Sequence, residues 1–509
     1  MMGILSVLTS STFSIQADGE SSTLMKVVET VRDNVWGIPL IVLIMGAGLL
    51  LTVRTGGLQF RRLGKALKYM WFNEEGGEGE VSSFGALCTA LAATIGTGNI
   101  VGVATAVMAG GPGALFWMLV AAAVGMATKY SEGILAVKYR QFDKKTGKAL
   151  GGPFYYIEKG MGERFAGKNW RWLGNLFAIF GAFAALMGTG TFAQISGISK
   201  AADTFFDPNK TNIAFSLGEQ SYSWSTVITA IVVALFVGLV IIGGIKRIAA
   251  VTTYIVPFMA VLYITVCLII LIYNGDKVGG AIALVVKSAF GHGYSPVIAG
   301  GIGAVIRASI QNGVARGIFS NEAGLGTAPI AAAAAKTNEP VRQGLVSMTG
   351  TFVDTIIVCT MTGLMLVITG AYKQSALEGV DVTIYGFGEG LPWTHAFASF
   401  VLLICLAMFA FTTILGWDYY GESCLAYLTR GNAKVIKTYK VLYILAVLIG
   451  PFVTLNFIWT FADIFNGLMA APNLIALIAL SGIIKRETKD YFTRLDAGQI
   501  DEGFNKKKK

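Results

Sequence analysis

Apolar runs of about twenty residues, the length a helix needs to cross the hydrocarbon core of a bilayer, recur along nearly the whole chain. Trp36–Val53, Ser225–Ile242, Thr253–Ile272 and His395–Gly416 are clear examples. Charged or glycine-rich breaks between such runs predict helices near residues 35–53, 84–108, 113–138, 172–199, 224–244, 250–273, 296–320, 343–369, 395–427, 438–456 and 458–484. The pattern therefore predicts an all-α polytopic membrane protein with about eleven transmembrane helices. Residues 1–34 precede the bundle, 35–484 form a single transmembrane domain, and 485–509 form a tail. The first helix and its basic linker (35–83) stand apart, and the remaining ten helices divide into two groups of five, 84–273 and 274–484.

Composition excludes soluble folds. Of 509 residues, 54% are hydrophobic and only 14% charged, against roughly a quarter charged in soluble proteins. The net charge of +10 raises nucleic acid or a membrane surface as a partner, and the distribution of the charge decides against nucleic acid. About thirty of the forty Lys and Arg fall in Arg54–Val81, Lys138–Arg171, Lys246–Arg247, Lys336–Arg342, Arg430–Lys440 and the tail from Lys485, and only about seven in the opposite loops. By the positive-inside rule the N-terminus lies outside and the tail in the cytoplasm, with an odd number of spans. The Lys506–Lys509 run reads as a solvated tail within reach of anionic lipid. Cys88, Cys267, Cys359, Cys405 and Cys424 sit in or beside apolar segments without a CxxC pair or a His cluster, which points to neither a disulfide framework nor a zinc site. Residues 1–17 lack a basic n-region and make a poor signal peptide.

Two helices look broken, and they open the two groups of five. In the second, Cys88-Thr-Ala-Leu-Ala-Ala-Thr94-Ile-Gly96-Thr97-Gly98-Asn99-Ile-Val-Gly102 sets glycines and polar groups at membrane depth. In the seventh region, Arg307-Ala-Ser309-Ile-Gln311-Asn312-Gly313-Val-Ala-Arg316-Gly317 runs on to Phe319-Ser-Asn321-Glu322-Ala-Gly324-Leu-Gly326-Thr327-Ala-Pro329. Such segments are costly in hydrocarbon unless they face protein or a cavity. Interrupted segments at corresponding positions of two halves point to a transporter's central site. Glycine at 96 and 98 lets the backbone leave helical geometry and a ligand approach closely. The half-helix that resumes afterwards offers unpaired N–H groups to a carboxylate. Carbonyls ending the preceding half-helix, with the Thr94 hydroxyl and the Asn99 amide, are hard oxygen ligands for a small cation. Close packing through small residues is the competing explanation.

Polar groups inside other apolar helices extend this set. Gln194 lies near the outer end of the fourth helix, and Thr412, Thr413, Trp417 and Asp418 lie in the ninth. The two threonines can complete a sodium shell with second-helix carbonyls, or bond their own backbone. Gln194 and Trp417 can bound an amino-acid pocket, and Trp417 is equally suited to an interfacial anchor. Lys129 and Glu132, three apart near a cytoplasmic helix end, read as an ion pair. Arg307, Arg316 and Glu322 flank the seventh-helix break as an inner gate or a cytoplasmic salt-bridge network. Asp354 and Asp463 are interior acids open to ions, protons or helix pairing. His292 and His395 are both placed near the outer surface, which argues against a histidine relay or catalytic triad. A membrane-embedded enzyme is the weakest class, because no nucleophile–base pair appears. An ion channel would explain the glycine-rich breaks but usually needs symmetric pore-lining repeats.

Gly110-Gly111-Pro112-Gly113-Ala114-Leu115-Phe116-Trp117-Met118, continuing to Gly125-Met-Ala-Thr-Lys129-Tyr-Ser-Glu132, resembles the alanine or glycine:cation symporter family. Ala92 to Ile100, Gly317 to Thr327 and Thr412 to Trp417 reinforce the likeness, which runs from about residue 30 to 485. Leu119 departs from it, standing where that family usually carries a second tryptophan. The resemblance implies a LeuT-like fold with two inverted five-helix repeats after one extra helix, and a sodium-coupled carrier for a small neutral amino acid in a prokaryotic plasma membrane. It implies no enzyme activity and a monomeric transport unit. Carried over by motif, Gly96, Thr97, Gly98 and Asn99 would meet the substrate, with Thr94 nearby and Gln194, Asn312 and Trp417 completing the pocket. Sodium would use carbonyls near Ala92 and Ile95 with the hydroxyls of Thr412 and Thr413. A proton-coupled carrier using Asp354, Asp463 or Glu322, or a glutamine carrier, remains open on the same fold.

Overall fold

The computed structural model describes residues 23–72, 76–144, 146–217, 220–293, 301–453 and 455–500, without the side chains of 23, 24 and 455–459. An amphipathic helix, α1 (Thr23–Val35), leads into α2 (Ile38–Arg54). The second predicted helix is two pieces, α3 (Ser83–Thr94) and α4 (Val103–Gly110), joined through a π-helical turn at Gly98–Gly102 and bent by 54°. Ser82 starts α3 as its N-cap by accepting the Gly85 N–H at 2.9 Å. Gly111 in a left-handed conformation and Pro112 turn the chain into α5 (Gly113–Lys138). Then follow α6 (Arg171–Met187), α7 (Phe192–Phe206), α8 (Trp224–Ile241), α9 (Gly244–Tyr273) and α10 (Gly275–Ala289).

The second half opens with α11 (Gly301–Asn321) and a short α12 (Ala328–Ala332). Next come α13 (Pro340–Thr351), a π-helical stretch Phe352–Cys359, α14 (Thr360–Thr369) and α15 (Val380–Gly390). The chain closes with α16 (His395–Thr429), α17 (Ala433–Ile449) and α18 (Leu455–Asp496). Two small antiparallel hairpins, β1 (Gln141–Phe142) with β2 (Ala149–Leu150) and β3 (Ile213–Leu217) with β4 (Gln220–Ser223), lie in loops.

Among the described residues nine helices are long and apolar enough to span a membrane, and ten once the bent α3–α4 pair is counted as one. The eleventh expected span is α11. Its 21 residues are long enough, and Arg307, Gln311, Asn312 and Arg316 keep it out of the apolar class. Its second half, from Gly313 on, is largely buried where it packs along α4 and α5, while Arg307 and Gln311 in the first half are exposed. The architecture is thus an all-α polytopic membrane bundle. Its centre is α3, α5, α11, α13 and α16, while α8, α9 and α17 turn most of their apolar surface outward to lipid.

Several boundaries differ from the sequence reading. The fourth predicted helix is interrupted at Gly188–Thr191 and runs on to Phe206, so Gln194 begins its second half rather than ending the helix. The seventh is continuous through Gln311–Gly313 and breaks only after Asn321. There Glu322, Gly324 and Gly326 take positive φ of 56°, 90° and 83°. α10 and α15 were not expected, since at 15 and 11 residues each is too short to cross the hydrocarbon and leaves no span-length apolar run. α18 continues to Asp496, where a tail was expected from residue 485, because its end lies outside hydrocarbon and is pinned by ion pairs. Lys138 meets Glu487 at 2.9 Å and Arg494 meets Glu339 at 2.7 Å. Residues 1–17 and Lys506–Lys509 fall outside the described residues.

Candidate functional site

The break in the second span is the organising feature. α3 ends at Thr94, Ile95 is extended, and the turn that follows exposes backbone groups on both sides. The Gly96 N–H donates to Asn99 Oδ1 at 2.9 Å, and the Thr97 N–H donates to Gln194 Oε1 at 3.1 Å. Two successive N–H groups thus face oxygen acceptors, the arrangement that suits a carboxylate. Gln194 is held by its own amide, which donates to Thr189 O at 3.0 Å inside the fourth-span break. That break is anchored to α18 by Asn466, whose amide donates to Thr189 Oγ1 at 2.9 Å.

On the other side of the break, oxygens converge. Thr413 Oγ1 lies 2.9 Å from Ala92 O, 3.3 Å from Ile95 O and 3.0 Å from Phe409 O. One hydroxyl proton serves one of these carbonyls at a time, so the cluster has more acceptor oxygen than donor hydrogen, the chemistry a hard cation wants. Glycine makes the approach possible. At Gly416 a Cβ would stand 2.9 Å from the Ala93 backbone, and at Gly96 it would press on Thr413 Oγ1 and come within 3.0 Å of Gln194 Oε1.

The other expected residues do not all join this centre. Thr412 Oγ1 turns back to Met408 O and Phe409 O, both at 3.0 Å, beside Met259 Sδ at 3.5 Å. Asn312 donates to Ala308 O of its own helix at 2.9 Å, well before the α11 break. Trp417 is fully buried against Gly190 and the Tyr420 ring. Thr94 bonds Leu91 O at 3.3 Å and borders a small cavity with Lys129 and Asn321. Gly98 brings the chain against Phe319 and Ser320 of α11.

A cluster around Asp354 was not foreseen as part of the site. The Asn99 amide donates to Asp354 Oδ1 at 2.8 Å, while Ser320 Oγ and Thr355 Oγ1 donate to its Oδ2 at 2.9 and 2.6 Å. Three spans meet on one carboxylate directly under Asn99. The sequence marked Asp354 only as an interior acid, and the π-helical stretch that turns it inward leaves no periodic signal.

The two ends of the bundle differ. A cleft reaches Thr97 from the face carrying α1, lined by Thr105, Ser196, Gly197 and Lys200 among others. Ion pairs lie across it, Arg316 with Asp463 at 3.2 Å and Lys200 with Asp381 at 3.6 Å. Arg316 therefore belongs to this cleft and not to an inner gate with Glu322, and Arg307 is exposed. Toward the basic loops the bundle is filled. Glu322 accepts from Thr327 at 2.5 Å, and the Asn473 amide donates to Glu132 Oε1 at 2.7 Å and to Gly324 O at 2.9 Å. Lys129 and Glu132 are not a simple surface pair. Both are buried, and Glu132 takes the Asn473 amide as its partner.

A helical membrane bundle with broken helices at its centre, an oxygen cluster beside paired N–H groups and a cleft from one face defines a membrane transporter. The chain matches the sodium:alanine symporter family over residues 21–506 and belongs to it. It is 53% identical over 481 residues to an uncharacterized transporter of Haemophilus influenzae, covering 94% of this chain and 99% of the relative. It is 46% identical over 474 residues (92% and 97%) to the sodium/alanine symporter AgcS of Methanococcus maripaludis. To the probable sodium/glutamine symporter GlnT of Bacillus subtilis it is 35% identical over 482 residues (94% and 92%). The protein is thus a sodium-coupled amino-acid symporter of a prokaryotic membrane, and not an enzyme.

Proposed function

We propose that this carrier moves a small neutral amino acid, alanine or glycine, together with sodium into the cytoplasm by alternating access between two inverted five-helix repeats. The observation that carries the reading is the Thr413 hydroxyl beside the Ala92 and Ile95 carbonyls, within the same break that aims the Gly96 and Thr97 N–H groups. Sodium bound there ties α3 to α16. The fixed break then presents its N–H groups to the substrate carboxylate, which takes the place of the Gln194 amide oxygen on Thr97. Asp354, reached through Asn99, suits the substrate's ammonium or a second cation. The small residues Gly96, Gly98, Ala193 and Gly197 around Thr97 favour a short side chain.

The cleft then faces outward and the filled, basic end faces the cytoplasm, as the positive-inside rule requires. One chain supplies every group named, so the transport unit is a monomer. A zwitterion entering with one sodium carries one net charge, and about 100 mV supplies roughly 2.3 kcal/mol for accumulation. The test is sodium-driven uptake in proteoliposomes with L- and D-amino acids as competitors. Alanine or glycine should compete best and choline replacement should abolish uptake. Sodium-independent uptake would refute the coupling. Stronger competition by glutamine, the substrate in one relative's name, would refute the small-substrate assignment.

A further inference from the structure

Asp418 lies inside α16 with no exposed surface, and neither of its carboxylate oxygens has a hydrogen-bond partner among the described residues. The titratable groups acting on it are Glu422 one turn along its own helix, and Lys440, Tyr439 and Tyr443 on the packed α17. Lys440 is already engaged. Its Nζ stands 3.0 Å from Glu422 Oε2 and donates to Ile241 O at 2.9 Å. The Tyr443 hydroxyl lies 2.7 Å from Ile414 O and 2.8 Å from Gly190 O. The Tyr439 hydroxyl rests on Gly421. The lysine is thus paired with Glu422 and not with Asp418. An ionised Asp418 would be a buried charge without a bonded partner, which costs far more than a neutral acid.

Its position links it to transport. Thr413 is five residues earlier on the same helix, and Trp417, its neighbour, packs on Gly190 in the fourth-span break. Glu422 and Lys440 retain some exposure (side chains 15% and 17%), and Lys440, midway along α17, reaches Ile241 O at the end of α8 that leads into the basic Lys246–Arg247 segment. We propose that Asp418 is a proton-binding site of the transport cycle, loaded from the basic face by way of Glu422 and Lys440. The proton neutralises Asp418 in the state described here, with the cleft open on the α1 face. Raising the pH on the basic face removes the proton, disfavours this state and slows uptake.

This rests on sodium-driven uptake into the cytoplasm, so wild-type protein is measured first; absence of uptake at every pH would sink that reading and this one with it. With outside pH fixed and inside pH raised, wild-type uptake should fall. Asp418→Asn, which mimics the protonated acid, should lose the inside-pH dependence while keeping its sodium dependence, and Asp418→Glu should keep both. A flat wild-type profile, or a wild-type profile in Asp418→Asn, would overturn the proposal. Infrared spectra give a readout without transport. Purified wild type should show a protonated carboxylic acid band at neutral pH, reduced in Asp418→Asn. Absence of any such band in wild type would overturn the proposal even if neither variant folds.

Discussion

Thr412 and Thr413 are adjacent hydroxyls with opposite fates. One returns to its own helix beside Met259, and the other reaches across to the end of α3. Thr413→Ala should weaken sodium activation of uptake by about tenfold or more, equivalent to ~1.4 kcal/mol. Thr412→Ala should leave it within about twofold. Sodium titration of uptake separates them, and equal effects would remove Thr413 from its special place. Gly96→Ala should abolish uptake while leaving the protein in the membrane, because its methyl group presses on both Thr413 and Gln194. Retained uptake would show that the break opens wider than the present geometry. The chemistry of this break was legible residue by residue, since glycine, threonine and asparagine have few other reasons to gather at membrane depth. Which threonine points inward was not, because that depends on the rotation of α16 against α3. Asn312 shows the same limit: its polarity was visible, and its bond to Ala308 was not.

At the scale of elements, hydropathy located the long spans and failed where structure is set by packing. α10 and α15, of 15 and 11 residues, are too short for a span and form by covering their neighbours. The interruption at Gly188–Thr191 carries its own signal, Gly-Thr-Gly-Thr, which the apolar flanks on either side outweighed, and Asn466 on a remote helix anchors it. The seventh-span break was recognised in kind and misjudged in place, because the polar run near Asn312 stays helical and Glu322 takes the left-handed turn. That shift moves Arg316 to the open cleft, where its pairing with Asp463 joins α11 to α18. If this pair couples the two helices during transport, a double-mutant cycle of Arg316→Ala and Asp463→Ala on the uptake rate should give an interaction energy of about 0.5–2 kcal/mol. Strictly additive losses would show that the pair is incidental.

The whole molecule presents one open face and one filled face. All five cysteines are buried and free, so a single introduced thiol reports on the cleft. Thr105→Cys should react with an impermeant thiol reagent applied outside, and sodium with alanine together should slow the reaction several-fold. Labelling only from the cytoplasmic side would invert the orientation.

Coupling between the oxygen cluster and the neighbouring N–H groups is the central claim, and thermodynamics makes it reciprocal. The direct measurement is equilibrium binding of alanine to purified protein across sodium concentrations, with the converse titration of sodium across alanine concentrations. Each ligand should tighten the other by the same factor in the wild type, and that factor should collapse toward one in Thr413→Ala. Alanine binding that is indifferent to sodium in the wild type would contradict it.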